Sequence, residues 1–407
     1  MVSQKRKFLF VFLILLFAGI GGLIFARFPV SRIFGVNSTF PGVSPSSTPS
    51  TGVAAPVASP TPLPTTPTPP ESIGKTPRGV FVLIGRAATP AAVLANPSIA
   101  GLVFNRQWEL IETSKGTYDW GGLDSQISQA AAAGKMVRIG IAIGGQHTPK
   151  WVFDEGVTTI SFIDRNEFHQ DTYNTSVEIP LFWDPTYLAL KKAFIEVAGA
   201  RYNKNPDVHL VTAACVNPNT DDWVLPARTA KDIQDWKNAG YSSDKIIDAC
   251  KQIMDATVAA FPNKTIFMAV GPIPAGLDSD PDYAEKAVLE YARTTYPGRF
   301  LFGNGALSAK TPDPEKDQNL PARWQLLYAH RPNIGLQMLW TASDTNSCRM
   351  NARKSPCDPV EVLRTAVMIG AHYQSQLQEI YLQDALNPAL QAVIKEAATI
   401  LAAVPAP

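Results

Sequence analysis

Two adjacent carboxylates and a tryptophan, Asp221-Asp222-Trp223, end the run CVNPNTDDW, just after an apolar, β-rich stretch. A carboxyl against an aromatic wall is poorly solvated, so its pKa rises toward neutrality and it becomes a usable proton donor. Asp222, next to Trp223, fits that role best, with Asp221 beside it; the pair equally suits a turn or helix cap. Asp384, in EIYLQDAL, is a third carboxylate placed just after an apolar stretch. Polar and aromatic side chains gather at similar points. They include Arg106 and Trp108, His147 and Trp151 in GQHTPKW, Asn217 and Asn219 ahead of the acidic pair, and Gln337 and Trp340 in NIGLQMLWTASD. Aromatic platforms suit the apolar faces of ring-shaped ligands such as sugars, although any one tryptophan is as readily a core residue.

Such groups need a scaffold, and apolar β-rich runs alternate here with longer amphipathic ones. Strands are expected at Val80–Gly85, Gly101–Trp108, Met136–Gly144, Val208–Val216, Thr265–Ile273, Phe300–Leu307, Ile334–Trp340 and Gln378–Gln383. Helices are expected at Leu123–Ala133, Pro185–Asn203, Ser243–Phe261, Pro281–Tyr296, Leu320–His330, Pro359–Ser375 and Pro388–Ala403. Asp184-Pro185, Asp280-Pro281 and Asp358-Pro359 each read as a cap followed by proline in the first turn. Eight such units predict an α/β fold, a (β/α)8 barrel, with its chemistry at the carboxyl ends of the strands. An open doubly wound sheet is the alternative, but no G-x-G-x-x-G or phosphate-loop motif occurs at a strand-to-helix turn. The longest interruption, Gly145 to Trp183, follows the third strand and carries a hairpin-like TTISFID run.

The ends differ from this body. Lys5, Arg6 and Lys7 precede an uncharged apolar run, Phe8–Ala26, long enough to span a bilayer. Its flank, Phe25-Ala26-Arg27-Phe28, is a poor cleavage site, which favours an anchor over a signal peptide. The basic cluster then predicts an N terminus in the cytoplasm and the remainder outside the cell. Residues 1–27 are thus read as basic tail and membrane anchor, and 28–77, rich in Pro, Ser and Thr, as a disordered stalk. The barrel domain is placed at 78–407. The net charge of +1 and the lack of a basic stripe argue against nucleic acid as a partner. No C-x-x-C or H-x-x-H spacing is present, which argues against a structural zinc site, and no metal or other cofactor is expected. A location outside the cell permits disulfides, and Cys348 and Cys357 bracket a short loop that suits one. Cys215 and Cys250 either bridge or pack as buried thiols.

The segment Gly101–Val152, with RQWELIETSKGTYDWGGLD after the second strand, resembles barrel glycoside hydrolases of the retaining clan, family 42 β-galactosidases and family 5-like barrels among them. The stretch FWDPTYLALKKAFIEVAGARYNKNPDV, from Phe182 to Val208, is also family-like. The resemblance implies an acid/base glutamate after strand four, often preceded by asparagine, and a nucleophilic glutamate after strand seven. Neither glutamate stands at its place: the first position offers Asp221 and Asp222, the second Gln337, and an amide cannot act as a carboxylate nucleophile. The resemblance also makes Arg106 the group that supports the nucleophile, so Arg106, Asp222 and Gln337 are expected around one sugar-sized hollow. Glu379 is placed near the start of its strand, toward the opposite face. The function expected is a membrane-anchored, extracellular glycoside hydrolase-like protein acting on an oligo- or polysaccharide. A non-catalytic carbohydrate-binding protein on the same barrel is the alternative.

Overall fold

Eight parallel strands close into a ring in the computed structural model, which describes residues 76–405 except 168, 170 and 352–356. The expected anchor Phe8–Ala26 and nearly all of the expected stalk lie outside the described residues. Among the described residues no helix is long and apolar enough to cross a membrane.

The barrel strands are β1 (Gly79–Leu83), β2 (Gly101–Gln107), β3 (Met136–Ile143), β4 (Val208–Thr212), β5 (Thr265–Ala269), β6 (Phe300–Leu307), β7 (Ile334–Met338) and β8 (Leu377–Tyr381). Each pairs with its sequence neighbours, and β1 closes on β8 with Phe81 opposite Glu379. The expected (β/α)8 barrel is the observed architecture. Phe81, Val103, Leu210, Phe267, Leu301 and Leu377 point inward and plug the barrel with an apolar layer. Gly303 on β6 makes that packing possible, because a Cβ there would run into the Phe267 ring. Above the plug the interior turns polar.

The outer layer is α1 (Ala91–Ala95), α2 (Gly121–Ala132), α3 (Pro185–Tyr202), α4 (Ser243–Ala260), α5 (Tyr283–Thr295), α6 (Ala322–Ala329), α7 (Pro359–His372) and α8 (Gln391–Ala402). Two of the expected Asp-Pro caps form. Asp184 accepts from the Tyr187 amide at 2.9 Å, and Asp358 from the Val360 amide at 2.8 Å. The third does not: the Pro281 carbonyl accepts from the Ile273 amide at 2.8 Å, Asp280 holds the Asp282 amide at 3.0 Å, and α5 starts only at Tyr283.

Two long loops rise from the carboxyl ends of the strands. The one after β3 carries an antiparallel hairpin, Thr159–Ile163 with Ser176–Pro180, where the hairpin-like run was expected. The one after β4 carries an unexpected helix, Ala230–Asn238, held by a reciprocal Thr229–Asp232 cap. Cys348 pairs with Cys357 as expected, and Cys215 with Cys250, which ties the loop after β4 to α4.

Candidate active site

Arg138, in the middle of β3, is completely buried inside the barrel. A lone guanidinium there would be prohibitively costly, so its surroundings must supply counter-charge. Its Nη1 donates to Asp221 at 2.8 Å and to Thr212 at 2.9 Å, and its Nη2 donates to Glu379 at 2.9 Å. The Phe267 ring of the apolar plug lies 4.1 Å beneath it. Glu379, itself fully buried, is pushed up to about 7 by burial, against the pull of Arg138, while Asp221 and Asp222 push it further up.

Above this layer a cleft of about 450 Å³ opens at the carboxyl ends of the strands. Asp222, Asn219 and Trp223 enter it after β4, Gln337 and Trp340 at and after β7, and Tyr381 from β8. Asp222 is pushed up to about 6, first by burial and then by the charge of Asp221, while Thr220, Arg138 and Arg323 pull it back. Gly305 on β6 leaves the room it occupies, since a Cβ there would strike the Asp222 carboxylate. Gln337 and Tyr381 line the cleft together, and Trp340 packs on Tyr381 with ring centroids 5.5 Å apart.

Two further carboxylates line the cleft, both already engaged. Asp164 accepts from Thr172 at 2.6 Å, from the Asn166 amide at 2.9 Å and pairs with His169 at 2.8 Å. Its pKa is lowered: these donors outweigh the burial that opposes them. Asp232 accepts from the Thr229 amide at 2.8 Å and pairs with Arg165 at 3.4 Å.

The structure therefore brings Asp222, Asn219, Trp223, Gln337 and Trp340 together in one cleft and seats Asp221 just beneath them. Other expected residues lie elsewhere. Arg106 points out of the barrel and donates to Gln126 of α2 at 2.8 Å, because Asn105, one residue earlier, takes the inward face. Gathering Arg106 with Asp222 and Gln337 is thus corrected: the arginine beneath the cleft is Arg138. Trp108 begins a helical turn after β2 and is buried against Phe194 at 5.1 Å and Trp151 at 6.1 Å, away from the cleft. The Trp151 indole donates to the Glu112 carbonyl at 3.3 Å. His147 is held by Glu109 at 2.8 Å and Gln107 at 2.7 Å, and it does not line the cleft. Asn217 is buried, with its carbonyl accepting from the Gly145 amide at 2.7 Å.

Asp384 is fully buried and accepts from Thr341 Oγ1, the Ala342 and Ser343 amides and Ser343 Oγ, at 2.6 to 2.9 Å. Four donors leave it clamping the loop after β7, not facing a substrate. Glu379 is the opposite correction, since it sits inside the barrel on Arg138. Sequence reading passed over Arg138, set Glu379 toward the wrong face, and passed over Arg323. The first two carried a signal, each being a charge in the middle of a buried apolar strand.

No family model matches this chain, and no curated protein does. Among solved structures it is similar to the catalytic domain of β-amylase from Paenibacillus polymyxa. That match has a TM-score of 0.52 and 9% identity over 82% of this chain and 100% of that one. It is also similar to the β-galactosidase of the haloarchaeon Halorubrum lacusprofundi, with a TM-score of 0.50 and 12% identity over 80% of this chain and 58% of that one. The chain thus spans less than two thirds of that β-galactosidase. At these identities the likeness is one of fold, the closed eight-stranded barrel.

Proposed function

We propose that the barrel binds a glycan in this cleft and hydrolyses a glycosidic bond, with Asp222 as the proton donor. The observation that carries the reading is the placement of Asp222. It is the lining carboxylate, among the described residues, that neither forms an ion pair nor caps a helix, and it lies beside Trp223 with its pKa raised. Glycosidases need two carboxyls in different protonation states, and environments that push two pKa values apart assign the roles. Asp164, held low and ionised, is the partner that fits a base, with one lone pair left beyond its donors. Gln337, where the resembled family has its nucleophile, cannot attack as a carboxylate, which favours inversion through water. The uncharged run Phe8–Ala26 after Lys5, Arg6 and Lys7 supports a membrane anchor with the barrel outside the cell, which protease shaving of intact cells tests.

A second reading is a non-catalytic glycan-binding barrel. The engagement of both Asp164 and Asp232 by internal donors favours it. Purified protein, screened against aryl glycosides and polysaccharides for both binding and release of reducing ends, separates the two. Turnover that Asp222→Asn removes supports hydrolysis. Turnover untouched by that change takes Asp222 out of the mechanism, and binding without turnover establishes the second reading.

A further inference from the structure

Four arginines line the cleft, each from a different segment: Arg165 after β3, Arg228 after β4, Arg323 in the first turn of α6, and Arg349 after β7. No lysine and no glutamate lines it among the described residues. Two of the three carboxylates that line the cleft already have partners. Asp232 serves the cap of Ala230–Asn238 and Arg165, and Asp164 serves His169, Thr172 and the Asn166 amide.

Arg323 is the telling residue. Its guanidinium makes no hydrogen bond or ion pair among the described residues, and its Nε is buried without a partner. One nitrogen packs near Gly271, and the charges of Asp222 and Glu285 are felt at a distance without touching it. Glu285 is fully buried with both oxygens unpartnered, and burial pushes it up to about 7, so near neutral pH it offsets Arg323 only in part. The residue is half-buried and its Nε is a buried donor left unfilled, an incomplete arrangement because buried polar groups in folded proteins are paired. The planar fork of arginine matches a carboxylate or sulfate through two parallel hydrogen bonds, whereas a neutral hydroxyl is a single, weaker acceptor.

Resting on the glycan-binding reading above, we infer that the cleft takes an anionic glycan, one whose sugars carry carboxylate or sulfate groups, and that Arg323 receives the anion. The probes are oligogalacturonate against its methyl ester, and chondroitin sulfate against its desulfated form; within each pair the backbone is kept and the charge removed. Calorimetric titration of the wild-type protein should show the charged member of at least one pair binding about 10- to 100-fold more tightly, the size expected of a charge-assisted bidentate contact. The pair that responds distinguishes uronate from sulfate. Arg323→Gln should bring the charged ligand down to the affinity of its neutral partner, with Arg323→Lys between them. Equal affinity within both pairs, or a preference that survives Arg323→Gln, overturns the inference while leaving the glycan reading intact. Failure to bind these four ligands and any neutral glucan or galactan sinks both. The wild-type comparison decides even where a variant does not fold.

Discussion

Replacing Arg138 by methionine probes the polar layer on which the cleft rests. The side chain is fully buried and holds Asp221 at 2.8 Å and Glu379 at 2.9 Å. Methionine roughly keeps its length and removes its charge, leaving two buried carboxylates without a counter-ion. Removing one partner of a buried ion pair costs about 3–5 kcal/mol. Unfolding entropy of ~2.1 cal/mol/K per residue, over roughly 330 residues, is about 0.7 kcal/mol per kelvin, so Tm should fall by about 4–7 °C. The deficit depends on pH in a definite direction. Glu379 already titrates above its ordinary range, at about 7, and losing Arg138 raises it further. A carboxyl raised in the folded state destabilises the fold when ionised; that penalty is full above its folded pKa and fades as pH falls toward the unfolded value, about 4. The Tm difference from wild type should therefore be largest at pH 8 and mostly gone at pH 5, as followed by circular dichroism. Adding Glu379→Gln to the variant should recover part of the loss at pH 8. A variant as stable as wild type at pH 8, or one whose deficit is the same at both pH values, would refute the reasoning.

If Asp222 donates the proton, turnover falls as pH rises through about 6, where the group ionises, and Asp222→Asn lowers kcat by about 100-fold or more. A pH–rate profile with no limb near 6 contradicts that assignment. Gly305→Ala drives a methyl into the Asp222 carboxylate, so catalytic efficiency should drop by about 10- to 100-fold with Tm nearly unchanged; full activity in a folded variant would remove the crowding argument. Serine at both Cys215 and Cys250, 35 residues apart, should cost about 4 kcal/mol in urea denaturation. The same change at Cys348 and Cys357, only 9 apart, should cost about 2.5 kcal/mol, and the reverse order would show that loop closure is not the source.

Periodicity located the barrel well because its cause is local. Expected and observed strands share their first residue at Gly101, Met136, Val208, Thr265, Phe300 and Ile334. Their ends were less visible. The runs expected to Val216, Ile273 and Trp340 leave the ladder at Thr212, Ala269 and Met338, since apolar composition does not distinguish a paired strand from an apolar loop roofing its end. The strand ends and the loops after them carried enough chemistry to mark Asp222, Trp223, Gln337 and Trp340 as cleft residues.

Which arginine lies beneath the cleft was beyond local reading. Alternation separates Arg106 from Asn105, but both faces of a barrel strand are buried, one against the plug and one against helices, so hydrophobicity does not say which parity faces inward. Arg138 meets Glu379 across 241 residues only because the ring closes. Asp384 looked available until four donors from the preceding loop folded onto it. Strand positions and loop chemistry follow from short-range pattern and are written along the chain; counter-charge, burial and free lone pairs arise between distant segments and exist only once the ring has formed.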